Sequence, residues 1–208
     1  SRENHDLDDL LNAGAVVNWG RDLTRSSVHT AAVVRKARKK GARVLTVSPG
    51  GDGHEAFSDE HVRVRPGCDR FLSAALIRLL WERRGIPARI IERTFNHERF
   101  RELIFRENTG ELLRWCHVSQ DDAEKILAFY SEPAPTATIV GAGLQRYRHG
   151  GENVRFINAL ALLSGNVGLP GGGVYFHMHS LRNLNMDWAL ASGAKTRRTL
   201  LMPTIGRD

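Results

Sequence analysis

Cysteine is nearly absent from this 208-residue chain, and the two present, Cys68 and Cys116, cannot by themselves build a disulfide framework, a four-cysteine zinc site or a four-cysteine iron–sulfur cluster. Any demanding redox chemistry must therefore come from something bound. No run of 18 apolar residues occurs, and there is no basic-then-apolar leader, which excludes a membrane-spanning segment and a retained signal peptide. With 41% hydrophobic and 25% charged residues the chain is not a disordered one. Nucleotide fingerprints are missing too: no G-x-G-x-x-G fits the first strand–helix turn, and no Walker A sequence occurs. Acid is missing from one stretch. Between Leu23 and Gly51 stand Arg25, Arg35, Lys36, Arg38, Lys39, Lys40 and Arg43 with no Asp or Glu, so this segment matches the whole net charge of +7. Six of these cations flank the end of one predicted helix, where the helix dipole favours them. They read as a solvated face and not as a nucleic-acid footprint.

What is present is a run of alternating strands and helices. Ala15 to Trp19 is a short, largely apolar segment closed by Gly20 and reads as a buried strand. Ser26 or Ser27 can cap the next helix, patterned on Val28, Ala31, Ala32, Val34 and Ala37, and Gly41 stops it. Residues 43–47 form a second strand, so the first 35 or so residues of the pattern are a βαβ unit with a parallel, right-handed crossover. His61 to Val64 alternates like a third strand, and Pro66-Gly67 turns the chain into a helix from about Asp69 to Arg84. Residues 88–132 are mainly helical, punctuated near Asn96, Asn108 and Ser119. Thr136 to Val140 is a fourth strand, followed by a helix from about Gly151 to Ser164. The predicted fold is a three-layer αβα domain over residues 1–173 with a mainly parallel sheet; residues 174–208 form a tail leading to a neighbouring domain.

In such a sheet ligands bind beyond the carboxyl ends of the strands. Each predicted strand here ends in a distinctive loop: Gly20-Arg21-Asp22, Ser48 to Gly53, Arg65 to Asp69, and Gly141 to Gly151. Nine of the twenty glycines lie between Gly141 and Gly173, where backbone must approach something closely. These loops carry a resemblance. Arg65-Pro66-Gly67-Cys68-Asp69 resembles the R-P-G-T-D motif of the molybdopterin oxidoreductases. The stretch from Gly143-Leu144-Gln145 through His149-Gly150, Asn158 to Leu163, Gly165-Asn166-Val167-Gly168 and Pro170-Gly171-Gly172-Gly173 is similar to that family's G-x-Q…H-G…N-A-L-x-x-L-x-G-N-x-G-x-P-G-G-G. Trp19-Gly20 followed by His29 resembles its W-G-S-N-P…H segment, with Arg21-Asp22-Leu23 in place of Ser-Asn-Pro, and Ser48-Pro49 stands where a D-P-R motif is expected.

The resemblance, spanning Gly14 to Val174, implies a central domain of a longer enzyme, one of two related domains holding bis(molybdopterin guanine dinucleotide) with molybdenum or tungsten. A [4Fe-4S] cluster in an amino-terminal domain, a carboxy-terminal barrel and an electron-transfer subunit are what it implies elsewhere. The chain alone is expected to be an inactive fragment, with a homodimer left open. The resemblance sets Asp69 against guanine, whose adjacent N–H donors a carboxylate's two oxygens can accept; a helix-capping role is compatible. It also implies cofactor contacts from Gly20, Arg21, Asp22, Ser48, Arg65, Gly67, Gly143, Gln145, His149, Asn166 and Gly171, while His29 is either a packed or capping residue or a ligand contact, and Asn166 either a contact or a left-handed turn residue. No catalytic residue or metal ligand is assigned, because the resemblance places the metal ligand before this region. A cofactor-free scaffold domain of a respiratory-complex subunit is the alternative reading. Substrate, metal and compartment are not set by these residues.

Overall fold

Two buried strands with no charged side chain organise the fold. In the computed structural model residues 6–50, 53, 57–131 and 135–176 are described. β1 (Ala15–Trp19) and β4 (Thr136–Val140) are buried at every position and lie side by side. β2 (Arg43–Ser48) flanks β1, β3 (Glu60–Arg63) flanks β2, and β5 (Gly173–Tyr175) flanks β4. The order is β3-β2-β1-β4-β5, with all four pairings parallel.

This order reverses direction between β1 and β4, and that reversal sorts the helices. A right-handed crossover from β1 out to β2 puts α1 (Val28–Lys39) on one face. The return from β3 to β4 and on to β5 runs the other way, which places α2 (Asp69–Arg83), α3 (Ala88–Ile91), α4 (His97–Ile104), α5 (Thr109–Cys116), α6 (Gln120–Ser131) and α7 (Gly150–Leu163) on the opposite face. The cores follow the period of two that a strand dictates. Val17, Trp19, Leu45 and Val47 pack among Leu72, Leu76, Ile126 and Ile157 from the many-helix layer. Val16, Val44, Ala137 and Ile139 pack with Val34 of α1 and Leu10 of the 3-10 turn Leu7–Asn12. The αβα architecture expected from the sequence is the one the chain adopts.

Polar side chains inside this core are mostly paired, with Ser73 Oγ of α2 an exception among the described residues. Trp19 donates its indole N–H to the Tyr130 hydroxyl at 3.0 Å, which in turn meets Thr138 Oγ1 at 3.0 Å. Burial pushes the Tyr130 hydroxyl up to about 12, so it is a permanent neutral link between β1, α6 and β4. β1 and β4 have the bounds expected from sequence, β2 takes in Ser48, and β3 starts one residue earlier than its apolar alternation suggested. The helical stretch divides where short polar residues stand: Asn96 and His117 adopt left-handed backbone, and Asn108 caps α5 by accepting from the Glu111 amide at 2.8 Å. β5 carries the sheet two residues past the expected domain boundary at Gly173. Tyr175 is buried in register with Ile139, and its hydroxyl donates to Asp9 at 3.1 Å. The rest of the expected tail, from residue 177, lies outside the described residues.

One position sets how closely the two central strand ends approach. A Cβ on Gly141 would overlap the Gly20 carbonyl oxygen at less than the 3.0 Å that real Cβ atoms keep. Gly143, two residues on, has nothing within 4 Å of such an atom. Gly141→Ala is therefore expected to destabilise the chain by about 3 kcal/mol through forced backbone separation, and Gly143→Ala by less than about 0.5 kcal/mol. Urea unfolding of the two variants checks this; similar midpoints would show that the strand ends are free to part.

Candidate functional site at the carboxyl ends of the strands

The crevice where β1 and β4 diverge holds a cavity of about 320 Å³, lined by Gly20, Arg21, Asp22, Ser26, Ser27 and the Val140 to Gly143 segment. Reversed strand order makes such a crevice, because the two following loops must leave in opposite directions. Asn18, the only amide in β1, shapes the first loop from inside: its Oδ1 accepts from the Arg21 amide at 3.2 Å and its Nδ2 donates to the Arg21 carbonyl at 2.9 Å. Gly20 makes the turn with φ +60°.

Arg21 is the chemically distinctive group. Its Nε donates to Ser27 Oγ at 2.8 Å and its Nη1 to the Phe176 carbonyl at 2.9 Å, two of the five N–H donors a guanidinium carries. Among the described residues no carboxylate pairs with it. Burial alone lowers its pKa, the mark of a desolvated cation without a counter-charge. The adjacent acid is used locally, since Asp22 Oδ1 accepts from the Thr24 amide at 3.1 Å, the Thr24 hydroxyl at 3.0 Å and the Arg25 amide at 2.9 Å. With Ser27 engaged by Arg21, α1 begins with no side-chain cap. A cation thus borders this cavity beside Ser26 and Ser27, where the chain enters α1, an arrangement suited to an anion.

The third and fourth loops meet beside it. Gly67 has φ +75°, and a Cβ there would sit 3.0 Å from the Tyr147 ring. Arg70 ties α2 to α7: its amide donates to Asn153 Oδ1 at 3.1 Å, its Nη1 to the Gly67 carbonyl at 3.0 Å, and its Nε lies 3.3 Å from Glu152. At the start of α2, Asp69 is only 3% exposed, and burial raises its carboxyl to about 6, against smaller opposing effects of its own amide and Arg70.

The remaining sequence-predicted residues divide by edge. Ser48 is buried at the end of β2, where its Oγ lies 2.9 Å from His61 Nε2 and accepts from the Gly50 amide at 3.2 Å. Arg65 and Gln145 are exposed on the third and fourth loops, and exposed His149 lies 3.4 Å from Glu152. His29 is exposed in the first turn of α1 and does not line the cavity. Asn166 and Gly171 are not with the others. Asn166 accepts from the Thr136 amide at 2.8 Å, where β4 starts, and the Gly171 amide donates to Asp9 at 3.0 Å, beside the chain entering β1. Both lie at the opposite edge of the sheet and hold the fold. Sequence reasoning passed over Asn18 and Gly141 as site builders; an amide inside an otherwise apolar strand was the available signal for the first. Burial pushes the Cys116 thiol up to about 12, which leaves it inert.

Residues 2–202 match the family model described as molybdopterin oxidoreductase. The chain belongs to this family. It is 32% identical over 169 residues to the probable oxidoreductase YyaE of Bacillus subtilis, covering 81% of this chain and 25% of that protein. It is 24% identical to formate dehydrogenase H of Escherichia coli, covering 81% of this chain and 24% of that protein. The fold is similar to that of acetylene hydratase from Pelobacter acetylenicus, with a TM-score of 0.69 at 14% identity over 76% of this chain and 22% of that one. The chain thus spans about a quarter of the length of these relatives.

The buried carboxyl of Asp69 makes stability depend on pH in a defined direction. Its folded pKa, about 6, exceeds the ordinary 3.8, so the folded chain keeps a proton that the unfolded chain has released between those values. Stability therefore falls as pH rises from about 4 to about 6 and stays reduced above that. Asp69→Asn, which cannot ionise, is expected to gain roughly 3 kcal/mol at pH 7.5 relative to its effect near pH 3.5. Denaturant curves at the two pH values test this, and an equal difference at both would mean that Asp69 titrates as an exposed acid.

Proposed function

We propose that this chain is the part of a molybdenum or tungsten oxidoreductase that holds the guanosine diphosphate end of a molybdopterin guanine dinucleotide, one of a pair of such cofactors. The observation that carries the reading is Arg21, a half-buried guanidinium with no carboxylate partner among the described residues, set in the crevice between β1 and β4. A desolvated cation needs a counter-anion, and the diphosphate is that anion. The residues present fit the group. Arg21 retains N–H donors for phosphate oxygens, and the closeness of Gly20 and Gly141 keeps side chains out of the crevice. Asp69 accepts from N1–H and the 2-amino group of guanine, and its helix start helps it to do so as the anion.

When bound, the group supplies two-electron chemistry at molybdenum or tungsten, coupled to oxygen-atom or hydride-equivalent transfer. The chain's own residues bind and orient it, and the isolated chain is inactive. A [4Fe-4S] cluster and the metal ligand are assigned to other segments of a longer polypeptide, and an electron-transfer subunit to its partners. The reading includes no nucleic-acid partner, which is supported by the pairing of Arg38 and Arg43 with Asp59 and Glu60 and by Arg35 and Arg43 covering the rings of Phe57 and Phe129. A cofactor-free scaffold would gain nothing from an unpaired buried cation, which favours the binding reading over it.

Titration calorimetry with GDP and ADP tests the assignment. The parent chain is expected to prefer GDP, Asp69→Ala to erase that preference at a loss of about 1–3 kcal/mol, and Arg21→Gln to weaken both nucleotides alike. Equal affinities of the parent for GDP and ADP would remove guanine recognition, and binding unaffected by Arg21→Gln would remove the phosphate site.

A further inference from the structure

One polar atom in the many-helix layer is left over by the fold. α2 is buried along most of its length by Leu72, Ala74, Ala75, Leu76 and Ile77, and among them stands Ser73, with no exposed surface and with its Oγ unpaired among the described residues. A helical serine can relieve its hydroxyl by donating to the carbonyl four residues back, here that of Asp69, and Ser73 does not. A buried hydroxyl without a partner costs stability, and alanine, a better helix former of nearly the same size, removes that cost. Packing therefore does not account for this serine.

Its place in the helix does. Asp69 is the first residue of α2 and Ser73 stands one turn further on, a spacing that sets two side chains on one face with Cβ atoms about 5–6 Å apart. Cα–Cβ bonds tilt towards the start of a helix, so Ser73 leans back towards Asp69. Asp69 is itself only 3% exposed, and the groups that favour its charge are its own amide and Arg70. Other titratable groups around the head of α2 are engaged, exposed or neutral: Arg70 and His149 both lie against Glu152 of α7, Arg65 of the preceding loop is exposed, and the Cys116 thiol of α5 keeps its proton. A carboxylate offers about four acceptor sites. Its own amide takes one at Asp69, and the two N–H donors on the edge of guanine take two more. One site remains.

We propose that Ser73 is a positioning residue of the guanine site, its hydroxyl donating to the Asp69 carboxylate and so fixing the charge and orientation of that group for the paired N–H donors of a guanine base. Fully buried, Ser73 does not touch the base and acts only through Asp69. The inference rests on the guanine reading of Asp69 and adds to it the group that lets a buried carboxylate serve as an anion. An unpaired hydroxyl and an under-supplied carboxylate on one helix face are then two halves of one arrangement.

Titration calorimetry of the 208-residue chain and its Ser73→Ala variant with GDP and ADP, repeated from pH 5 to pH 8, tests it. At pH 7.5 the variant is expected to bind GDP about 10-fold more weakly, the loss of one hydrogen bond to a charged group, and ADP within about 2-fold of the parent. The preference for GDP sets in near pH 6 in the parent, where Asp69 ionises, and is expected to set in about one pH unit higher in the variant. Urea unfolding without nucleotide gives a second readout. Removing the donor raises the folded pKa of Asp69 further, so Ser73→Ala is expected to be at least as stable as the parent at pH 4.5, where folded Asp69 keeps its proton, and less stable at pH 7.5. In an Asp69→Asn background its effect is expected to be the same at both pH values. A GDP preference that Ser73→Ala leaves intact, an onset that does not move, or an effect on unfolding that is equal at both pH values in the parent background overturns the role of Ser73 while the guanine reading stands. A parent that binds GDP and ADP alike overturns the guanine reading, and this inference falls with it.

Discussion

The close contact of two backbones at the ends of β1 and β4 governs what the rest of the molecule can do. Gly141 lies against the Gly20 carbonyl with no room for a side chain between them, and each residue is also tied into the sheet, Gly20 donating to Val47 at 2.9 Å and Gly141 to Trp19 at 2.8 Å. Because α1 and α7 sit on opposite faces, the chain must part immediately beyond this point. The crevice is thus a consequence of strand order and not of loop length. Its floor is backbone, so bound groups can come close, and its walls are the two loops whose side chains then define chemistry.

Those side chains make the edge a region of stored electrostatic strain. Arg21 is desolvated without a counter-charge, and Asp69 is buried at the head of α2 with a carboxyl raised to about 6. Neither arrangement stabilises the fold. Elsewhere in the described chain, apart from Ser73 Oγ, polar groups are matched closely: Trp19, Tyr130 and Thr138 form a linked set, and Asn153 and Asn166 each bridge two elements. Unmatched charge concentrated at one edge of a well-matched domain is the physical sign of a site completed by a ligand.

Most of the architecture was legible in the sequence because parallel strands are buried on both faces and read as short apolar runs bounded by glycine and proline. Ala15 to Trp19 and Thr136 to Val140 could be placed to the residue for that reason. β5 could not. Three residues give no period, and Tyr175 is drawn into the sheet by Asp9, far away in sequence. The site was legible only as a set of loops. Sequence similarity groups Asn166 and Gly171 with Gln145 and Asp69, yet similarity marks any residue a fold needs as readily as one a ligand needs. Asn166 satisfies the first amide of β4, and a Cβ on Gly171 would overlap the backbone at Asn12 and Ala13. Their demands are backbone demands, met at the amino edge.

The departures from the family pattern in the first loop now have a joint physical account. Replacing Ser-Asn-Pro by Arg21-Asp22-Leu23 puts a cation and an anion side by side, which would cancel if the two side chains met. They do not, because Asp22 turns back on Thr24 and Arg25 while Arg21 is pulled across the end of β4 by Ser27 and the Phe176 carbonyl. Leu23 is fully buried and anchors the loop between them. On the proposed reading, the exchange puts one long, fixed guanidinium at the place where an anion would be held, and it does so by linking the loop after β1 to the chain leaving β5. Since that link runs from the loop after β1 past β4 to Phe176, an anion held by Arg21 would bear on the loop after β1 and on Phe176 together, through a single side chain.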